Sequence, residues 1–225
     1  MACRWRAIQS NSAAETHPTF ERTVTKSTIL PLNSGIRRSG AISRPLTAEF
    51  RSKWILAKPG DTIVERDLAV TPVPYLNQQM TGAFLPQEAE RSTKPAETVK
   101  SSDWLVKANT IVIGAPMYNF SVNSTLKACI DQVAQAGLTY KSSETGQVGR
   151  LQGKKVSIFT SRGGVYSHGA AKAMDFHETY PRAVLGFIGL SDIDFIHTEG
   201  VAMGEEAMAS AISHSRSRMT ELIPA

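Results

Sequence analysis

Thr110-Ile111-Val112-Ile113-Gly114-Ala115-Pro116-Met117-Tyr118-Asn119-Phe120 runs from an unbroken apolar segment straight into a turn carrying two aromatic rings and an amide. A short apolar run rich in β-branched residues has the pattern of a parallel strand buried on both faces, and Pro116 ends it. In open α/β sheets ligands occupy the crevice beyond the carboxyl ends of the strands, which places Met117, Tyr118, Asn119 and Phe120 at a candidate site. A strand end whose rings merely cap the core would carry the same residues, so the neighbouring segments decide. Ser124-Thr125-Leu126-Lys127 opens a helix with Leu126, Cys129, Ile130 and Val133 at helical spacing. Strand, turn and helix together make half of a βαβ unit.

Upstream, Thr28 to Leu32 reads as the first strand, with Pro31 unable to donate to a ladder and the pairing therefore imperfect near its end. Asn33 to Ser43 is a hydroxyl- and glycine-rich turn leading into a helix with Leu46, Phe50 and Trp54 on one face. Such a turn offers backbone N–H groups and the positive end of a helix, both of which favour a phosphate, although no Gly-Lys-Ser/Thr follows. A helix N-terminus with no ligand would need no more than this. Thr62 to Leu68 reads as an edge strand. The next forty residues are polar and contain Pro72, Pro74, Pro86 and Pro95, and a helix spans roughly 95–107.

Downstream, Tyr140 to Arg150 is a loop with two glycines, and Lys154 to Thr160 is the fourth strand, ending in Ser161-Arg162-Gly163-Gly164. Glycines there let the backbone approach a flat ring closely. A helix over 178–190, a fifth strand at 193–197 and an amphipathic helix over 207–222 complete the chain. This alternation predicts an α/β fold with a doubly wound, five-stranded parallel sheet and helices on both faces.

The 225 residues suit one such domain, assigned to 27–225, with 1–26 as a disordered or divergent leader. Arg4, Arg6, Ser10 and Ser12 before the first acid, Glu15, give the leader a weak transit-peptide character. A net charge of +5 is spread over dispersed basic residues rather than a stripe, which excludes a nucleic-acid partner. Cys3 and Cys129 form no close-spaced pair and the five histidines are scattered, so no metal site is expected. No run approaches the roughly 18 apolar residues of a membrane helix, and a cytoplasmic protein is expected.

Gly114 to Phe120, followed by Leu126-Lys127, Asp131 and Ala136-Gly137, resembles the flavin-contacting segment of the FMN-dependent NADH azoreductases, also described as NADH:quinone oxidoreductases. Thr160-Ser161-Arg162-Gly163-Gly164-Val165-Tyr166 resembles that family's second flavin loop, and Gly186-Phe187-Ile188-Gly189 is similar to a further motif. The likeness covers roughly residues 28 to 223.

The resemblance implies a flavodoxin-like homodimer with active sites at the interface, one FMN per subunit and NADH as electron donor. Quinones and aromatic azo compounds would be reduced by a ping-pong mechanism. The flavin, not a catalytic side chain, would carry the chemistry. It implies cofactor contacts from Gly35, Ala41, Ile42 and Ser43 to the phosphate. Met117, Tyr118, Asn119 and Phe120 would shape one side of the ring, and Ser161, Arg162, Gly163 and Gly164 its polar edge. Phe187 would wall the substrate, in the partner subunit's cavity, and Tyr75 and Phe84 would help to line that region.

The family's usual phosphate-loop serines fall at Gly35, Ala41 and Ser43, and only Ser43 keeps a hydroxyl. Relatives usually carry an aromatic residue where Ser142 stands. An FMN-binding electron carrier and a degenerate copy with weak flavin binding are the alternatives. Deleting residues 1–26 is expected to leave the melting temperature with FMN present unchanged, as measured by differential scanning fluorimetry; a large drop would assign the leader a strand or an interface.

Overall fold

The computed structural model describes residues 26–81, 96–144 and 146–223. The chain begins with strand β1 (Thr28–Asn33) and helix α1 (Ser43–Ala57). Two two-residue strands follow, β2 (Thr62–Ile63) and β3 (Arg66–Asp67), then a short helix α2 (Gln78–Thr81) and helix α3 (Ala96–Lys107). β4 (Thr110–Pro116) and α4 (Ser124–Val133) match the central βα reading. Strands β5 (Tyr140–Ser143) and β6 (Gly146–Gly149) precede β7 (Lys155–Ser161). Then come α5 (Phe176–Phe187), β8 (Asp192–Thr198) and α6 (Glu205–Leu222).

Every pairing in the main sheet is parallel, in the order β2/β3, β1, β4, β7, β8. The five positions expected from sequence are present, but the edge position is two pieces rather than one strand. Pro31 explains the break. The carbonyls of Ile29 and Asn33 accept from Val64 (3.0 Å) and Leu68 (2.8 Å), so odd-numbered residues of β1 point their backbone toward that edge. Pro31 lies midway, without an N–H, where β2 has stopped and β3 has not begun. On its other side β1 stays in register with β4 from Ile29 to Asn33.

Alternation along the strands loads both faces. Leu30, Leu32, Ile111, Ile113, Val156 and Ile158 pack with Leu105 of α3, Leu126, Cys129, Ile130 and Val133 of α4, and Leu185 of α5. On the opposite face Ile29, Val112, Phe159 and Ile196 meet Leu46, Phe50 and Trp54 of α1 and Met219 of α6. There Phe50 stacks on Trp54 and meets Phe159 edge-on, each with centroids 5.8 Å apart. Burial pushes the Cys129 thiol up to about 12, so it behaves as a small apolar side chain.

Two sequence expectations are corrected. Residues 140–150 are not a plain loop: β5 and β6 pair antiparallel as a hairpin from Tyr140↔Gly149 to Ser143↔Gly146. Helix α5 starts earlier than residue 178 because the Asp175 side chain caps it, accepting from the His177 and Glu178 N–H groups at 3.1 Å each. Phe84 and residues 1–25 lie outside the described residues. Tyr75 is exposed.

Where the hairpin meets the α5–β8 turn, the backbones nearly touch. A Cβ on Gly149 would run into Ile188 and Gly189, and Gly189 has φ +102° with Leu151 N 2.9 Å from where its own Cβ would stand. Gly186, inside α5, has open space around it. Gly149→Ala is therefore expected to abolish soluble expression or lower the melting temperature steeply. Gly186→Ala should stabilise by about 0.5–1 kcal/mol, read from urea midpoints.

Candidate functional site

The site is built around the Ser34 peptide, where β1 ends. The Ser34 N–H and hydroxyl both donate to the Gly114 carbonyl of β4, at 3.0 and 2.9 Å. Its own carbonyl accepts from Asn123 Nδ2 (2.6 Å) and Thr125 Oγ1 (2.7 Å) at the start of α4. Asn123 also caps that helix, its Oδ1 accepting from the Leu126 N–H at 3.0 Å. Two adjacent strands and one helix are thereby fixed at the point where the strand order reverses.

One wall follows directly. Residues 35–42 lead into α1, which starts after Ile42 with no side-chain cap. Among the described residues the backbone N–H groups of Ser43 and Arg44 have no acceptor, so the positive end of the helix stands open. Arg44 braces the base of this loop, donating to the Gly35 carbonyl (2.7 Å) and pairing with both oxygens of Asp67. Burial alone would raise the Asp67 pKa, but the Arg44 hydrogen bonds outweigh it and hold the carboxyl below its ordinary range. Arg37 has no ion-pair partner among the described residues and lines the cleft.

The second wall leaves β4. The Met117 N–H donates to the Ser161 carbonyl (2.9 Å), extending the β4–β7 pairing by one residue. Tyr118 and Ser121 then exchange both backbone hydrogen bonds (3.0 and 3.1 Å) across a two-residue turn. Its central residues, Asn119 (φ 49°) and Phe120 (φ 68°), are the two non-glycine residues with positive φ among the described residues. Asparagine tolerates this region, whereas a phenylalanine there stores strain, a feature that clusters at ligand clamps.

The third wall leaves β7. Ser161 and Gly163 face the cleft, and among the described residues the N–H groups of Gly163 and Gly164 have no acceptor. Arg162 points the other way. Its side chain is fully buried, with Nη1 bonded to Asp175 (2.9 Å) and Glu199 (3.0 Å). Behind it His177 is buried; burial and the Arg162 cation lower its pKa to about 3, so the ring is neutral.

Of the residues expected from sequence, the cleft gathers Gly35, Ala41, Ile42, Ser43, Met117, Tyr118, Ser161 and Gly163. Asn119 and Phe120 sit on the adjoining turn, Phe120 meeting Tyr166 edge-on at 6.1 Å. Gly164 borders Tyr166. Arg162 stands in the same loop, with its guanidinium turned away from the cleft into a buried ion cluster. Phe187, at the far end of α5, packs on Tyr140 (4.7 Å) and lines no wall of its own chain's cleft.

Arg37, Gly40, Pro116 and Val201 line the cleft and were not expected. Applying the carboxyl-end rule to β8, as to β4 and β7, would have found Val201. Among the described residues no group of three or more His, Cys, Asp or Glu could hold a metal, and no helix is long and apolar enough to cross a membrane.

A parallel sheet of this order, with a cleft at its reversal point, is a flavodoxin-like fold. The family model for that fold matches residues 27–223. A Herminiimonas arsenicoxydans protein named FMN-dependent NADH:quinone oxidoreductase is 49% identical over 201 residues, covering 88% of this chain and 98% of that one. One of the same name from Azotobacter vinelandii is 40% identical over 200 residues, covering 87% and 99%. The crystal structure of an azoreductase from Bacillus anthracis superposes with a TM-score of 0.78 at 26% identity, covering 87% of this chain and 98% of that one. The chain belongs to the FMN-dependent NADH:quinone oxidoreductase family within this fold.

The Ser34–Asn123 junction generates a prediction about the scaffold. Asn123→Ala removes a helix cap and a buried bond to the Ser34 carbonyl. It should cost about 2 kcal/mol, read as a lower urea midpoint at unchanged m-value.

Proposed function

We propose that this protein is a cytoplasmic, homodimeric FMN-dependent oxidoreductase that uses NADH to reduce quinones and to cleave aromatic azo compounds to amines. When bound, FMN supplies the two-electron chemistry, which no side chain of the cleft replaces. One juxtaposition carries the reading: anion-binding groups and ring-binding groups line one cleft. The open N-terminus of α1, the Ser43 hydroxyl and Arg37, which has no ion-pair partner among the described residues, are a donor set suited to a phosphate. Beside them Pro116, Met117, Tyr118 and Val201 give apolar surface for a flat ring system, with the Gly163 and Gly164 N–H groups, which have no acceptor among the described residues, for its polar edge.

The chain's own residues bind and orient. Arg37 and the helix end would hold the phosphate, and the Tyr118–Ser121 turn and the glycine loop would hold the ring. Donor and acceptor enter the same opening in turn, a ping-pong order, and an azo bond needs two rounds to yield two amines.

Phe187 supports the dimer. It is exposed at the end of α5 that lies about 18 Å of helical rise from Asp175, away from its own chain's cleft, which fits a role in a second subunit's cavity.

Purified protein is expected to carry FMN and to oxidise NADH when a soluble quinone is added. Flavin without turnover would favour the electron carrier, and colourless protein the degenerate copy. Ala41→Ser should tighten FMN about tenfold by adding one donor to a charged acceptor, and leave riboflavin, which has no phosphate, unchanged in titrations of the apoprotein. Gly35→Ser is the poorer substitution, since its Cβ would stand 3.2 Å from the Pro116 ring.

A further inference from the structure

Glu199 follows the last residue of β8, and its side chain is 13% exposed. One oxygen, Oε1, accepts three bonds: from Arg162 Nη1 (3.0 Å), the Tyr166 N–H (2.8 Å) and the Ser167 N–H (3.0 Å). Main-chain bonds already join the same two segments nearer the cleft. Arg162 N–H donates to Thr198 O (2.9 Å), Gly200 N–H to Gly164 O (3.0 Å), Val201 N–H to Arg162 O (3.1 Å) and Ala202 N–H to Gly163 O (3.0 Å).

That zipper stops at Gly164. Beyond it, among the described residues, the backbone of 165–167 is tied down by the Glu199 carboxylate alone. The segment it ties carries the Tyr166 ring, which meets Phe120 with planes at 70°. Tyr166 belongs to the loop that leaves β7 and Phe120 to the strained turn that leaves β4, so the ring pair joins the two segments whose first residues, Met117 and Tyr118 on one and Ser161 and Gly163 on the other, line the cleft.

From this we infer that Glu199 is a positioning residue: it fixes Tyr166 against Phe120 and so sets the opening through which a planar acceptor reaches the cleft. Arg162 is its complement. The buried cation offsets the charge of Glu199 and Asp175, which lets a carboxylate rather than a neutral group organise the loop. Burial would raise the Glu199 pKa, but the bonds from Ser167, Tyr166 and Arg162 outweigh it, so the carboxylate stays ionised.

The kinetic arm of the test rests on the proposed quinone reduction; the exchange arm does not. Glu199→Asp keeps the charge beside Arg162, and with it the fold, but withdraws the acceptor by one methylene. Glu199→Gln keeps an acceptor at full reach and loses the charge. In Glu199→Asp, hydrogen exchange at the Tyr166 and Ser167 amides should accelerate about tenfold, and KM for a soluble benzoquinone should rise about five- to tenfold with kcat within about twofold. Glu199→Gln should restore both toward wild type while melting at a lower temperature. A role in folding alone predicts lower melting temperatures with wild-type exchange and KM in both variants, and that result overturns the inference. If the wild-type protein turns over no quinone, the functional reading fails, and the exchange comparison alone decides for or against Glu199.

Discussion

The Ser34 carbonyl is the point on which the site depends. It lies at the reversal of strand order, where no neighbouring strand can satisfy it, and a buried carbonyl left unpaired would cost about 1–3 kcal/mol. Asn123 and Thr125 satisfy it from the start of α4, while the rest of Ser34 is committed to Gly114. The crevice beyond the ends of β1 and β4 can therefore remain open without leaving the Ser34 carbonyl unpaired. The amide of Asn123 contributes twice, once to the strand end and once to the cap of its own helix.

Much of this architecture was legible because it rests on local pattern. The apolar run 110–116, the turn beyond it and the helical spacing of Leu126 to Val133 place β4 and α4 without tertiary information. Glycines after β7 mark the polar edge of the cleft for the same reason. The hairpin at 140–149 was not legible: its strands are exposed and polar, so no hydrophobic alternation announces them. The direction of the Arg162 side chain was not legible for a different reason. A cation within a ligand-binding motif suggests a contact, and only the distant Asp175 and Glu199 reveal that it turns inward. Val201 escaped notice because nothing in its own neighbourhood distinguishes it.

The ion cluster behind the glycine loop adds little to stability by itself. Removing a guanidinium and two carboxylates from water is expensive, and well-packed apolar groups of the same volume often serve a fold as well. Here the cluster joins the cap of α5, the end of β8 and the loop after β7 around one side chain. Apolar packing is non-directional and could fill that space, but it could not dictate where two backbone N–H groups sit. His177, held neutral beside it, adds bulk without adding charge.

Pro31 looks at first like a defect in the first strand, yet it touches the molecule's behaviour beyond its own borders. A long, continuous outer strand presents a row of free donors and acceptors on which another chain can assemble. The proline divides that row at its middle, leaving two fragments of two residues each, turned by the intervening Val64-Glu65. Such short pieces are poor templates for intermolecular pairing. A residue that weakens one ladder inside the sheet thus protects the protein, at high concentration, from growing into its neighbours.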